Sequence, residues 1–80
     1  MKLPRGVSGD DLAKALRVLG YAATRQTGSH YRLTTGQGGE HPVTIPRHSP
    51  LRVGTFAAIL DDVAEHFGFS RDELIAKLNI

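Results

Sequence analysis

The side chain best suited to chemistry in this chain is the imidazole of His30, which follows Gly28 and Ser29 at the mouth of a predicted hairpin. Imidazole titrates near pH ~6.5, so a histidine gives or takes a proton readily at physiological pH. A side chain held in place for such a transfer acts as a general acid or base. His30 is therefore the candidate catalytic residue, and the chemistry it predicts is proton transfer.

Positive charge is concentrated around this histidine. The segment from Arg25 to Arg52 holds four arginines, Arg25, Arg32, Arg47 and Arg52, against the single acid Glu40, so its charge is +3, whereas the rest of the chain carries −1. A strip of this charge attracts a phosphate backbone, and the four arginines are candidate nucleic-acid contacts. An ordinary solvated sheet face is the alternative interpretation of the same charges.

The other histidines need separate interpretations. His48, together with Ser29 beside His30, is predicted as a second catalytic or phosphate-contacting residue. His41 in a glycine-rich loop and His66 on the polar face of a helix are predicted to be plain surface residues. A zinc site built from His30, His41 and His48 is disfavoured, because the chain has no cysteine and the spacing matches no common zinc motif. We expect no metal and no cofactor.

Apolar periodicity and capping residues predict the elements that hold these side chains. The predicted elements are a helix over about 9–19, strands over 21–26, 30–35 and 43–45, a helix from about 54 to 67, and a short last helix after 70. Ser8 and Ser70 open the first and last helices as capping-box residues, and Gly20 ends the first. Asp10 and Lys14, four residues apart on the first helix, are predicted to form a surface pair.

This order of elements predicts an α+β fold, α-β-β-β-α with a short extra C-terminal helix, in which a three-stranded antiparallel sheet has its helices on one face. Side chains alternate along a strand, so the second strand separates His30 and Arg32 from the more apolar Tyr31 and Leu33. We expect the first pair on the open face, away from the helices. The parity of the first strand is ambiguous and leaves Arg25 on either face.

Length and composition limit the remaining possibilities. With 80 residues and 40% hydrophobic content, the chain is expected to form a single domain over residues 1–80. The absence of cysteine suits a reducing cytoplasm. No apolar run approaches the ~18 residues of a membrane span, and the first residues lack the apolar segment of a signal peptide. We therefore expect a cytoplasmic protein without a membrane partner.

Five blocks of sequence resemble a known family of toxins. They are Leu3-Pro4, Leu19-Gly20-Tyr21, the segment from Arg25 to His30 with its Gly28-Ser29-His30 motif, Val43-Thr44-Ile45-Pro46-x-His48, and Gly54-Thr55-x-x-x-Ile59-Leu60. In their order and their intervals these blocks resemble the HicA-type mRNA interferases, the toxins of HicA/HicB toxin–antitoxin systems.

The resemblance implies a double-stranded-RNA-binding-like fold and a toxin that cleaves messenger RNA and is held inactive by a HicB-type antitoxin. By position, His30 is then the catalytic histidine, and His48 matches a histidine common at its place in the family. The 2′-hydroxyl of RNA supplies a nucleophile, so His30 would move the proton while Arg32 or Arg47 stabilises the charged phosphorane. The prediction is a metal-independent endoribonuclease whose partners are RNA and the antitoxin.

Two other function classes remain open on the sequence alone. A non-catalytic RNA-binding module of the same fold would bind RNA with salt-sensitive affinity and leave it intact. A protein-interaction domain with a purely structural histidine would neither cleave RNA nor bind it in a salt-dependent way.

Overall fold

The computed structural model describes residues 3–80, so the first two residues of the predicted domain lie outside the described part. Its elements are α1 (Gly9–Ala15), which continues as a 3-10 helix (Leu16–Leu19), then β1 (Ala22–Gln26), β2 (His30–Thr35), β3 (His41–Pro46), α2 (Val53–Phe67) and α3 (Arg71–Leu78). The predicted α+β class and the predicted order of elements are confirmed.

The helix ends follow the capping residues of the sequence. The Ser8 hydroxyl accepts the backbone N–H of Asp11, and the Asp11 carboxylate accepts the backbone N–H of Ser8. Ser70 and Glu73 form the same reciprocal pair at the start of α3. Gly20 ends the first helical segment in the left-handed region, at φ 83°. The predicted single helix over 9–19 differs only in its last turn, which tightens to 3-10 geometry, as helix ends often do.

The sheet is antiparallel, in the order β1-β2-β3, so β2 is the central strand. β3 is longer than predicted and includes both prolines that were expected to bound it, Pro42 and Pro46. Proline cannot donate to a strand ladder, but it is tolerated on an edge strand, where one side of the backbone is unpaired. β3 is such an edge.

A β-bulge decides the face on which Arg25 lies. Ala23 pairs with Leu33, but the register then shifts by one residue, so that Arg25 pairs with Arg32. In the unshifted register Arg25 would lie opposite Tyr31, on the helix side of the sheet. A one-residue shift exchanges the two faces of a strand, and the bulge therefore places Arg25 beside Arg32 on the open face.

The core lies between the helices and one face of β2 and β3. Its largest fully buried side chains include those of Leu12, Leu16, Ile45, Leu60 and Leu74. By contrast, every residue of β1 is exposed. Among the described residues, none of the helices combines the length and the apolar character needed to span a bilayer.

The N-terminal end of α1 is in close contact with the end of β3. The backbone N–H of Gly9 donates to the carbonyl of His48 at 2.9 Å. Gly9 is buried, and a Cβ atom at this position would overlap the carbonyl oxygen of Pro46. Only glycine allows this approach, which fixes the chain around Arg47 and His48 against α1.

We expect Gly9→Ala to lower the free energy of unfolding by about 1–3 kcal/mol, the usual cost of forcing extra atoms into a packed site. Gly54→Ala is the matched control, because Gly54 lies in α2 and a Cβ atom added there would have nothing within 4 Å. Alanine there should stabilise the protein by about 0.5–1 kcal/mol through helix propensity. Urea denaturation measures the free energy of unfolding of both variants. Equal changes in the two variants would contradict the close approach at Gly9.

Candidate functional site

One face of the sheet carries no helix, and we call it the open face, formed by Arg25, His30, Arg32, Thr34 and Thr44. Leu33 and Thr35 of β2 are buried on the opposite side, whereas His30 and Arg32 are exposed. Arg32 pairs with Arg25 on one side and with Thr44 on the other, so these three residues form a row across the sheet. The predicted facing of His30 and Arg32 is confirmed.

His30 is held at the start of β2 by the turn that precedes it. Its backbone N–H donates to Thr27 Oγ1 at 3.1 Å, and its carbonyl accepts the Thr27 N–H at 2.9 Å. Ser29 Oγ lies 2.9 Å from Nδ1 of the ring. Nε2 has no hydrogen-bond partner among residues 3–80. The ring is thus anchored through one nitrogen, while the other is available to a ligand.

Arg25 and Arg32 form a cross-strand pair of like charges. Both are exposed, and neither forms an ion pair with any residue in the described part of the chain. The Arg32 side chain is within 3.5 Å of Thr44 Oγ1, a neutral group. Like charges directly opposite each other destabilise a sheet. An anion bound between the two guanidinium groups would remove this repulsion.

Arg47 does not join the open face. Its guanidinium lies over the Tyr31 ring, 4.9 Å from the centroid, with Nε 3.7 Å from the carboxylate of Asp10. The Tyr31 hydroxyl donates to the same carboxylate at 2.6 Å, which raises the pKa of Tyr31 above its ordinary value. The predicted pairing of Asp10 with Lys14 is therefore replaced by contacts to Tyr31 and Arg47. The backbone N–H of Arg47 donates to the Ser29 carbonyl at 2.9 Å, so the residue braces the turn before His30.

The two remaining site candidates lie at different places. His48 is exposed and follows Arg47, so it lies at the same end of the sheet as His30. Its ring has no hydrogen bond to any residue in the range 3–80. Arg52 is the N-cap residue of α2 and is exposed, and the structure records no side-chain contact between it and the open face.

The expectation that His41 and His66 are plain surface residues is wrong. Their rings stack with centroids 4.4 Å apart, and the His41 side chain is only 16% exposed. The Tyr21 hydroxyl is 2.6 Å from His41 Nδ1, and Asp62 Oδ1 is 3.2 Å from His41 Nε2. Because a carboxylate only accepts, the contact with Asp62 requires a proton on His41 Nε2, and in the tautomer with this one proton Nδ1 accepts a hydrogen bond from the Tyr21 hydroxyl.

This cluster also connects the loop between β2 and β3 to α2. His66 Nε2 donates to the carbonyl of Gln37 at 2.9 Å. In the ladder His41 lies opposite Thr35, whereas His30 lies opposite Pro46, so the two histidines occupy opposite ends of the strand pair. The register therefore does not bring His30 and His41 together, and no three histidine, cysteine or acidic side chains among residues 3–80 are placed to hold a metal ion.

Sequence reasoning missed three contributors to the site. Thr24 is the residue at the bulge, and its hydroxyl contacts the Arg32 carbonyl and the Thr34 hydroxyl, both at 3.2 Å. Thr27 holds the backbone of His30, and Asp10 binds Arg47. The Thr27-Gly28-Ser29 turn was visible as a hairpin signal, but neither the bulge nor the Asp10 contact has a local sequence signature.

Comparison with known protein families gives a match. The model of the HicA toxin family of bacterial toxin–antitoxin systems matches residues 9–64, from the start of α1 into α2. This range contains the whole sheet and the whole open face. Neither the curated proteins nor the solved structures compared with this chain gave a match.

The cluster at the far end of the sheet predicts an alkaline loss of stability. Burial, with the charge of Asp62 adding to it, raises the pKa of Tyr21 to about 12. A pKa raised by folding stabilises the protein fully below the unfolded value of about 10, and this stabilisation is lost as the pH rises toward 12. Tyr21→Phe should lose less stability over that window. At pH 7 it should cost about 1 kcal/mol, because the hydrogen bond to His41 is lost.

Urea denaturation at pH 7, 10 and 11.5 and a tyrosine absorbance titration measure these effects. We expect the wild type to show a tyrosine titration near pH 12, and we expect Tyr21→Phe to lack it. If Tyr21→Phe and wild type lose stability equally between pH 10 and 11.5, the burial of the Tyr21 hydroxyl is not the cause.

Proposed function

The chain belongs to the HicA toxins of bacterial toxin–antitoxin systems, and we propose that it is a metal-independent endoribonuclease that cleaves messenger RNA and is neutralised by a HicB-type antitoxin. The observation that carries the proposal is the placement of His30, with a free Nε2, on the same exposed face as the unpaired Arg25–Arg32 couple. A proton-transfer group beside an anion site is what phosphodiester cleavage needs. In this proposal residues 1–80 form one RNA-cleaving domain that acts in the cytoplasm, where messenger RNA is translated.

The reaction uses the RNA's own nucleophile. The 2′-oxygen forms a bond to phosphorus while the bond from phosphorus to the 5′-oxygen breaks, so the 2′-hydroxyl loses a proton and the leaving oxygen gains one. His30 Nε2 performs one of these transfers. When Nδ1 carries a proton and its N–H donates a hydrogen bond to Ser29 Oγ, Nε2 has a free lone pair and acts as the base. Ser29 is thus a positioning residue for the ring.

Arg32 is the residue that stabilises the negative charge on the phosphorane in this proposal. It lies two residues from His30 on the same face of β2, whereas Arg47 is engaged by Asp10 and the Tyr31 ring on the other side. Of the two candidate cations, we therefore assign stabilisation of the transition state to Arg32. His48, exposed at the same end of the sheet, is the candidate for the second proton transfer.

RNA affinity comes from the same face. Arg25 and Arg32 bind successive or shared phosphates, and Arg52 at the start of α2 adds a more distant positive charge. Arg47 contributes mainly by bracing the turn. The second candidate function, a non-catalytic RNA-binding module, uses the same arginines and differs only in that His30 transfers no proton.

We expect His30→Ala to lower the rate of RNA cleavage by about 10²–10⁴-fold, the usual contribution of general acid–base catalysis, with RNA binding retained. The assay uses purified proteins, a structured messenger RNA and EDTA, and circular dichroism checks the fold. Glu65→Ala is the control, because it removes an exposed ionisable side chain from α2, outside the open face. Binding without cleavage by the wild type would identify the RNA-binding module, and equal cleavage by wild type and His30→Ala would exclude His30 as the catalytic residue.

A second experiment tests the two arginines in the His30→Ala background, so that bound RNA stays intact. Each phosphate contact on a single strand contributes a slope of about −0.7 to log affinity against log salt, so Arg25→Gln/Arg32→Gln should flatten the slope by about 1.4. Arg5→Gln/Lys77→Gln removes the same charge away from the open face and should leave the slope nearly unchanged. Fluorescence anisotropy between 50 and 200 mM salt makes the comparison. Equal slopes for the two double variants would contradict the assignment of the open face to RNA.

A further inference from the structure

The outer edge of β1 is the unprotected edge of the sheet. β1 pairs with β2 alone, and all of its residues, Ala22–Gln26, are exposed. The other edge, β3, carries Pro42 and Pro46 and packs against α1 and α2. Exposed strand edges offer unpaired backbone N–H and C=O groups to another strand, and proteins usually protect them with proline, charge or a covering element. β3 is protected by its two prolines and by the helices that pack against it. On β1 the protecting features are the bulge and the charge of Arg25.

A cleft lies beside this edge, on the helix side of the sheet. Its volume is about 350 Å³, and it separates α1 and the following 3-10 helix from β1 and β2. Apolar side chains from both sides line it, Ala13 from α1 and Ala23 and Leu33 from the sheet. The helices cover β2 and β3 but not β1, and this uneven cover leaves the cleft open.

The cleft is bordered by positive charge. Lys14 and Arg17 line it from the helix side, and neither forms an ion pair with a residue in the range 3–80. The carboxylate in the lining is that of Asp10, which is already bonded to the Tyr31 hydroxyl and lies near Arg47. A ligand that carries a carboxylate would therefore complement this surface.

We propose that an extended segment of the antitoxin adds to β1 as a fourth strand, with small apolar side chains over Ala23 and an acidic side chain between Lys14 and Arg17. The proposal rests on the chain being a toxin of a toxin–antitoxin system and not on its cleaving RNA. Strand addition pairs the free edge through main-chain hydrogen bonds, and the side chains on one face of the added strand enter the cleft.

A protein strand fits this surface better than RNA does. Phosphates would engage Lys14 and Arg17, but they would leave the alanine-lined floor and the backbone of β1 without partners. The cleft and the open face also lie on opposite sides of the sheet, because Leu33 lines the cleft while Arg32 faces the other way. The antitoxin segment therefore binds apart from His30, as an anchor that does not itself cover the catalytic histidine.

The test uses the purified antitoxin encoded with this toxin and isothermal titration calorimetry. Ala23→Arg fills the floor of the cleft with a long side chain and should weaken the complex by about tenfold or more, which corresponds to a loss of about 1.4 kcal/mol. Ala76→Arg is the matched control, because Ala76 is exposed on α3. Lys14→Glu/Arg17→Glu should weaken binding in the same direction without touching the packing of β1, which keeps the test valid if Ala23→Arg misfolds.

Amide hydrogen exchange provides a second readout. Residues 22–26 should exchange more slowly in the complex than in the free toxin. The proposal would be overturned if both cleft variants bound the antitoxin as tightly as Ala76→Arg does. Unchanged exchange in β1 would overturn it too. So would a charge-reversal variant that loses affinity for RNA and keeps its affinity for the antitoxin. So would a wild-type toxin that does not bind the antitoxin. Loss of RNA cleavage in His30→Ala bears on the proposed ribonuclease activity alone, so the two proposals fail separately.

Discussion

Hydrogen bonding of β2 to a neighbour on each side is the constraint on which the rest of the structure depends. A central strand cannot rotate or shift without breaking two ladders, so burial of Leu33 and Thr35 on the helix side forces His30 and Arg32 to the open side. Thr35 strengthens this choice, since its buried hydroxyl donates to the Leu19 carbonyl at 2.7 Å. The position of the catalytic candidate is thus determined by packing on the opposite face of the same strand.

The bulge at Thr24 brings two like charges together in the sheet, an arrangement that destabilises strand pairing. It places Arg25 directly opposite Arg32, with no carboxylate of the described chain between them. Arg47 and Arg71, in contrast, each have an acidic partner, Asp10 and Asp61. These two cations contact other elements of the fold, whereas Arg25 and Arg32, like Lys14 and Arg17, have no acidic partner in the described part of the chain. Arg25 and Arg32 differ from the other unpaired cations in that they lie directly opposite each other in the sheet ladder.

Local signals in the sequence predicted most of the fold. Contacts between distant segments of the chain have no such local signal and were not predicted. The capping serines Ser8 and Ser70 act within one helical turn, and the alternation along β2 is a property of that strand alone, so both predictions were confirmed. The pairing of His41 with His66 joins a strand to a helix and has no local signature. The face of Arg25 depends on a register shift against β2, which a single strand does not encode. The contacts of the Arg47 side chain with Tyr31 and Asp10 also join distant segments, and they were not predicted.

β1 links the two surfaces of the protein, because one strand contributes to both. The Ala23 side chain lines the cleft on the helix side, and after the bulge Arg25 lies on the open face. The free edge of β1 leaves this strand held by β2 alone. A fourth strand would restrict β1 from its other side and with it the position of Arg25. In the proposed complex, an antitoxin strand on this edge would be connected to the Arg25–Arg32 pair through β1 without contact to His30.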